Sequence, residues 1–92
     1  MTREQELFWK EIQKIQEYVV NVSLSKISKY EDMEKLLNDA TYETIYRIME
    51  LLDGHRNNEL KGEVINTLTG NSINLKMELH NYCEEYLNFS DI

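Results

Sequence analysis

Apolar residues recur at helical spacing over the first 22 positions of the chain. Thr2 and Gln5 form a capping-box pattern at its start. The apolar positions that follow are three or four residues apart, the period of one helical face, and they are Phe8, Ile12, Ile15, Val19 and Val22. The pattern predicts a first helix over about residues 3 to 22. Its apolar arc is wide, because Trp9 and Val20 extend one edge of it.

The next stretch predicts a connection and then a short second helix. Residues 23–29 alternate in polarity, but their serines and lysines are typical of a loop. Ser28 and Glu31 make a second capping-box pattern. The apolar residues after it share one helical face and are Met33, Leu36, Leu37 and Ala40. Asn38 and Asp39 favour a break after about two turns, because their side chains compete for backbone hydrogen bonds.

Residues 41–54 predict a third helix with the firmest boundary in the chain. Thr41 is a suitable N-cap and Gly54 a suitable C-terminal stop. The residues expected to face inward are Tyr42, Ile45, Ile48, Met49 and Leu52. Glu43, Arg47 and Glu50 are expected to line the outer side of this helix.

The pattern changes between His55 and Asn74, where asparagines and β-forming residues replace the helical period. Val64 and Ile65 favour extended backbone and Gly70 suits a reversal, so this segment is predicted to be irregular or hairpin-like. A fourth helix is predicted from about residue 75 to residue 88, with Asn74 as its cap. The sequence therefore predicts one mainly α domain of four helices over residues 1–92, the second of them short.

Charge and cysteine content narrow the possible functions. The chain of 92 residues carries 17 acidic and 10 basic residues, a net charge of −7. Much of the excess lies in residues 41–54 and 75–92, so these segments would repel phosphate and attract a basic partner. Modest acidity also keeps a small domain soluble, which is the plainer explanation. The apolar runs are far shorter than the roughly 20 residues of a membrane span, so no membrane helix is predicted. The single cysteine and the polar start of the chain predict a cytoplasmic protein.

A helix-turn-helix is one alternative function. Residues 33–37, a turn at residues 38–40 and a helix over residues 41–48 resemble the motif of transposases and repressors. A helix that reads DNA needs cations that contact phosphates. The helix over residues 41–48 has one cation, Arg47, whereas three acidic residues lie on it or just after it: Glu43, Glu50 and Asp53. Nucleic-acid binding is therefore the less favoured function, and a DNA-binding regulator remains the alternative.

Metal binding and catalysis have weaker support. His80 and either Cys83 or Glu84 would lie on one face of the predicted helix and could bind the same ion. Two ligands, however, are only half of a typical metal site. His55 and Asp53 are the other candidates, and no spacing joins them to that pair. The chain also lacks the glycine-rich and nucleophile motifs that mark common enzyme classes. The sequence predicts no catalytic, metal or cofactor site.

Aromatic residues point towards protein binding instead. Tyr46 and Trp9 lie at the flanks of the predicted apolar faces, where a ring contacts a partner at low entropic cost. The plainer explanation is that the rings seal a small core. The favoured prediction is a non-enzymatic interaction module, an accessory protein or immunity-type inhibitor that binds a basic partner. The expected contact residues are Tyr46, Glu43 and Glu50. A homodimer with Trp9 and Val20 near its interface is also expected, and a homodimer without another partner is a further alternative.

Two stretches of the chain carry a resemblance to other proteins. They are the run TIYRIMELLDG over residues 44–54 and the tripeptide Glu78-Leu79-His80. Both resemble small uncharacterised, mainly helical proteins of Gram-positive bacteria. The resemblance implies a bacterial cytoplasmic protein, and it carries over no function, cofactor or partner.

Overall fold

Two long helices form most of the regular structure in residues 1–90, the part of the chain that the computed structural model describes. Helix α1 spans Arg3–Lys26, and helix α2 spans Met33–Leu52. A 3₁₀ turn over Ile27–Lys29 lies between them, and the helices pack side by side in opposite directions. The predicted mainly helical fold is confirmed. Within the described residues, no helix is both long enough and apolar enough to cross a membrane.

Helix α1 begins as predicted and ends later. The capping box is present, since the backbone N–H of Gln5 donates to Thr2 Oγ1 at 3.1 Å and the N–H of Thr2 donates to Gln5 Oε1 at 2.8 Å. The loop predicted from residue 23 is wrong in its first half, because the helix continues to Lys26. Ser25 is accommodated there by donating its hydroxyl to the carbonyl of Val22 at 2.7 Å.

The predicted second and third helices are one continuous helix, α2, so the expected count of four is wrong. Three α-helices lie within residues 1–90. The cap of α2 is Asp32 and not Ser28, and its Oδ1 accepts the N–H of Glu34 at 2.8 Å. Thr41 does not cap a new helix, because its hydroxyl donates to the carbonyl of Leu37 one turn earlier at 2.7 Å.

Asp39 does not break α2 because its carboxylate has partners outside the helix. The hydroxyl of Tyr30 donates to Asp39 Oδ2 at 2.6 Å, and both the backbone N–H and the hydroxyl of Ser90 donate to the same carboxylate. A carboxylate engaged in this way does not compete for the helix backbone. The turn required by a helix-turn-helix at residues 38–40 is therefore replaced by helix.

The hairpin-like segment is confirmed as a short strand pair. Strand β1 (Ile65–Asn66) pairs antiparallel with β2 (Asn71–Ser72), and Ile65 lies opposite Ser72. Gly70 has a φ of 77°, which supplies the left-handed conformation that the reversal needs. The carbonyl of Asn66 accepts the N–H of Gly70 at 2.7 Å and closes the turn.

The predicted fourth helix over residues 75–88 is wrong. A 3₁₀ helix spans Leu79–Tyr82 and is followed by a single α turn, α3, over Cys83–Tyr86. Asn74 does not cap a helix, because its side chain accepts the N–H of Val64 at 2.9 Å and donates to the carbonyl of Gly62 at 3.0 Å. Lys76 has a φ of 59°, a conformation that excludes a helix starting at residue 75.

The core is thin for a chain of this length. The buried apolar side chains among residues 1–90 are Ile15, Val19, Leu51 and Cys83, and of these Ile15 and Leu51 are fully buried. The half-buried residues packed around this core are Phe8, Ile12, Ala40, Ile48 and Leu60. The radius of gyration is 15.1 Å, whereas a compact domain of this length has about 12 Å. The elongated shape leaves much of the apolar arc of α1 open.

Candidate functional site

Asp53, at the C-terminal end of α2, is a buried carboxylate that holds a distant part of the chain. Its Oδ1 accepts the backbone N–H of Leu79 at 2.9 Å, and its Oδ2 accepts the backbone N–H of His80 at 2.9 Å. Oδ2 also lies 2.6 Å from Nδ1 of the His80 ring. Burial raises the pKa of Asp53, but the hydrogen bonds from His80 and Leu79 outweigh it and leave the pKa below its ordinary value. Asp53 is therefore ionised at neutral pH.

Three metal-ligating side chains meet beside Asp53, and we call them the histidine cluster: His55, Glu78 and His80. Nε2 of His55 lies 2.8 Å from Oε2 of Glu78, and the same oxygen lies 3.5 Å from Nδ1 of His80. The two imidazole rings meet edge to face with 5.0 Å between centroids. One ligand atom of each residue lies within 4.8 Å of the others. The arrangement can share a proton or hold an ion.

Sequence reasoning missed this cluster because its members are far apart along the chain. It paired His80 with Cys83 and Glu84 on a helix that the structure does not form there. The signal available in the sequence was weak: each of the two histidines lies two residues after a carboxylate, Asp53 or Glu78. No spacing rule connects residue 55 with residue 78.

Cys83 is buried close to Asp53. Burial raises the pKa of its thiol, and the negative charge of Asp53 raises it further. The thiol is therefore protonated at neutral pH, which makes it a poor nucleophile and a poor metal ligand. Glu84 is exposed to solvent on the adjacent position of α3.

Tyr46, predicted to anchor a partner, is half-buried against other rings. It stacks on Tyr42 with 6.1 Å between centroids, and it meets His80 edge to face at 5.6 Å. Burial raises the pKa of both tyrosines. Phe89 extends the group, with its ring centroid 4.6 Å from that of Tyr42. Tyr46 therefore supports the C-terminal segment on α2 and presents little of its ring to a partner.

Glu43 and Glu50, the other expected contacts on α2, are paired with arginines. Arg47 lies 3.1 Å from Glu43 and 3.8 Å from Glu50, and Arg56 lies 3.8 Å from Glu50. The stripe that these glutamates form is therefore charge-balanced and exerts little net attraction on a basic partner.

Arg47 is the cation that the helix-turn-helix alternative would need. Its guanidinium lies 4.1 Å from the ring centroid of Tyr18 on α1, in a cation–π contact. The same guanidinium forms ion pairs with Glu43 and Glu50, and the side chain of Arg47 is only 22 % exposed. Arg47 therefore holds α1 and α2 together and is poorly placed to meet a phosphate.

Trp9 and Val20 lie on an open surface of α1, as the self-association hypothesis requires. We call this surface the outer face of α1, and it consists of Trp9, Gln13, Gln16, Val20 and Leu24, extended by Ile27 in the 3₁₀ turn that follows the helix. All six residues are exposed, and none of them is charged. The ring of Trp9 meets that of Phe8 edge to face at 5.7 Å, which fixes its position on the helix.

A cleft of about 1030 Å³ opens next to the histidine cluster. Asp53 and Glu78 belong to its wall. Side chains of both signs line the remainder, among them Lys61, Lys76, Glu63 and Glu85. This mixture selects neither an anion nor a cation as an occupant.

Comparison with known proteins adds no assignment. No protein-family model matches the chain, and neither a curated protein nor a solved structure shows significant similarity to it. The resemblance of residues 44–54 and 78–80 to small helical proteins of Gram-positive bacteria stays a prediction. The function has to be argued from the outer face of α1 and from the histidine cluster.

Proposed function

We propose that the chain is a non-enzymatic protein–protein interaction module that self-associates through the outer face of α1. The observation that carries this proposal is the exposure of four large apolar side chains, three along one face of α1 and one in the turn that follows it. Trp9 is 58% exposed and Val20 49%, and the neighbouring Leu24 and Ile27 are 61% and 50% exposed. An exposed, uncharged helix face with large apolar side chains is typical of an interface, and tryptophan is enriched among the residues that dominate binding.

The spacing along this face suits a helical partner. Residues 9, 13, 16, 20, 24 and 27 follow one another at intervals of three or four, as core positions of packed helices do. A helix of 24 residues is about 36 Å long, so a second helix can bury the face along its full length. Gln13 and Gln16, in the middle, can hydrogen-bond across a symmetric contact.

A second copy of the chain is the occupant that the charges favour. The outer face bears no charge, so two copies meet without repulsion and a basic partner gains no ion pair there. The thin core gives a second reason, because pairing of two outer faces adds the apolar layer that one elongated chain lacks.

The net charge of −7 supports a further, basic partner for the assembled module. Because arginines balance Glu43 and Glu50, the part of the predicted acidic surface that keeps its charge is at the C-terminal end, where Glu84 and Glu85 are exposed. Asp91, also part of the predicted acidic segment, lies outside the described residues. This negative charge suits an accessory protein or an immunity-type inhibitor that binds a basic protein.

Light scattering coupled to size-exclusion chromatography tests the proposal. Across micromolar concentrations, the wild-type mass is expected to approach twice the 11.0 kDa of one chain. Trp9→Ser and Val20→Ser are expected to shift the mass towards the monomer. Leu68→Ser is the matched control, because Leu68 is 93% exposed on the hairpin and away from the face. A monomeric wild type, or dimers that persist in both variants, would contradict the proposal.

A further inference from the structure

The histidine cluster has the composition of a transition-metal site. It brings two imidazoles and one carboxylate together from two segments, the turn after α2 and the chain before α3. Imidazole nitrogen and carboxylate oxygen are the donors that Zn²⁺ accepts. We propose that His55, Glu78 and His80 bind one divalent transition-metal ion of the Zn²⁺ type. This site is independent of the self-association proposed for α1.

The distances allow the three residues to close on an ion. Ligand atoms around a tetrahedral zinc are about 3.4 Å apart, given metal–ligand bonds of roughly 2.1 Å. Nε2 of His55 and Oε2 of Glu78 are 2.8 Å apart, and all three donor atoms lie within 4.8 Å of one another. The side chains of His55 and Glu78 are 46% and 47% exposed, so rotations of their outer bonds can supply the adjustment.

Asp53 fixes the ring of His80 beside the other two ligands. Metal-binding histidines commonly place a carboxylate against the ring nitrogen that does not bind the metal, which fixes the ring and its tautomer. Asp53 Oδ2 lies 2.6 Å from Nδ1 of His80, and that side chain of Asp53 is 2% exposed. A His80 ring that donates its Nδ1–H to Asp53 would bind the ion through Nε2, so Glu78, whose Oε2 lies 3.5 Å from Nδ1, would have to turn towards Nε2 on binding. Asp53 is thus a positioning residue, because it is itself fixed by the two backbone N–H groups of Leu79 and His80.

The donor set selects the class of ion. Mg²⁺ and Ca²⁺ prefer sites made of oxygen, with six or more ligands. Two nitrogens and one carboxylate match Zn²⁺, with solvent able to supply a remaining position. An ion there would tie residue 55 to residues 78–80 and would close the loop that contains the β1–β2 hairpin.

The test is calorimetric titration of the metal-stripped full chain with ZnCl₂, beside a titration with MgCl₂. We expect one Zn²⁺ per chain and no measurable Mg²⁺ binding at the same concentrations. His55→Gln, Glu78→Gln and His80→Gln are each expected to weaken Zn²⁺ binding at least tenfold. Glu17→Gln is the matched control, since Glu17 is exposed on α1 and carries the same charge. The Zn²⁺ affinity of the Glu17→Gln variant is expected to equal that of the wild type.

Ring ¹⁵N spectra give a second reading that does not depend on affinity. His55 and His80 are the two histidines of the chain, so their ring signals are readily assigned. Both are expected to move on addition of one equivalent of Zn²⁺. The exposed His55 and Glu78 variants keep the test valid if His80→Gln unfolds. Absence of Zn²⁺ binding at micromolar concentrations, equal affinity in the wild type and folded variants, or ring signals that do not move would each overturn the proposal.

Discussion

The helix pair, residues 3–52, and the C-terminal segment, residues 53–90, are held together by different forces. The buried apolar residues Ile15, Val19 and Leu51 join α1 to α2. The C-terminal segment contributes one buried apolar side chain, Cys83. Much of its order comes from side chains that bind backbone groups, such as Asp53 with residues 79 and 80, and Asn74 with residues 62 and 64.

This difference determines how each region responds to damage. Apolar burial is shared among many contacts, so loss of a core side chain weakens the whole helix pair. A polar anchor is local and directional, so its loss releases one segment and leaves unpaired N–H groups behind. Substitutions in the two regions should therefore differ in kind as well as in size.

The largest effect is expected from Ile15→Ala. Ile15 is 1% exposed at the centre of the α1–α2 contact, and its truncation leaves a cavity. We expect a loss of about 3 kcal/mol in the free energy of unfolding, measured by urea denaturation. Leu68→Ala, at a 93% exposed position, should stay within about 0.5 kcal/mol of the wild type. Similar losses in the two variants would mean that the helix pair lacks the core described.

A smaller and more local effect is expected from Asp53→Ala. This change removes a charged acceptor from the N–H groups of Leu79 and His80, at a cost of about 2 kcal/mol. Hydrogen exchange should accelerate at residues 79 and 80 much more than in α1. Asp32→Ala is the matched control, since it removes the cap of α2 and should leave exchange at residues 79 and 80 unchanged. Uniform acceleration in the Asp53 variant would contradict a local anchor.

The smallest effect is a pH dependence at Asp39, which joins α2 to Tyr30 and Ser90. Burial raises the pKa of Asp39, but hydrogen bonds from Ser90 and Tyr30 outweigh it and leave the pKa lowered. Its contribution to stability is present above the unfolded pKa of about 3.9 and is lost as the pH falls through the lower folded pKa. The free energy of unfolding should therefore decline on acidification below about pH 4. The decline should be less steep in Tyr30→Phe, and thermal unfolding over a range of pH measures it.

The same contact predicts a change at alkaline pH. The hydrogen bond to Asp39 and burial raise the pKa of Tyr30 to about 12. Because the folded pKa is the higher one, this stabilisation is present below the unfolded value and is lost as the pH rises through the folded one. The wild type should lose the Tyr30 contribution between about pH 10 and pH 12, and Tyr30→Phe should lack that decline. Identical profiles in the two proteins would show that the contact is not formed.

The sequence predicted the parts of the fold that depend on local signals. Thr2 and Gln5 identified the start of α1, and Gly70 identified the hairpin turn, because capping and left-handed backbone are properties of neighbouring residues. The break predicted at Asp39 was wrong because its carboxylate is engaged by Ser90, 51 positions away. Polar side chains that bind distant groups cannot be assigned from spacing.

The candidate sites follow the same division. The exposure of Trp9 and Val20 follows from the helical period of α1, so the sequence could predict it. The histidine cluster depends on Asp53 holding residues 79 and 80 beside residue 55, and no local pattern records that contact. The stretch around Asn74 and Lys76 shows the same limit, since apolar spacing alone favoured a helix there.

The most direct test of the account is a series of ¹H–¹⁵N correlation spectra of the full chain recorded on dilution. If the outer face of α1 is the self-association surface, the indole N–H of Trp9 and the amide of Val20 should shift as the dimer dissociates. The amides of residues 79 and 80, held by Asp53 within each chain, should stay in place. Spectra that do not change over the whole micromolar range, or shifts confined to the C-terminal segment, would contradict the account.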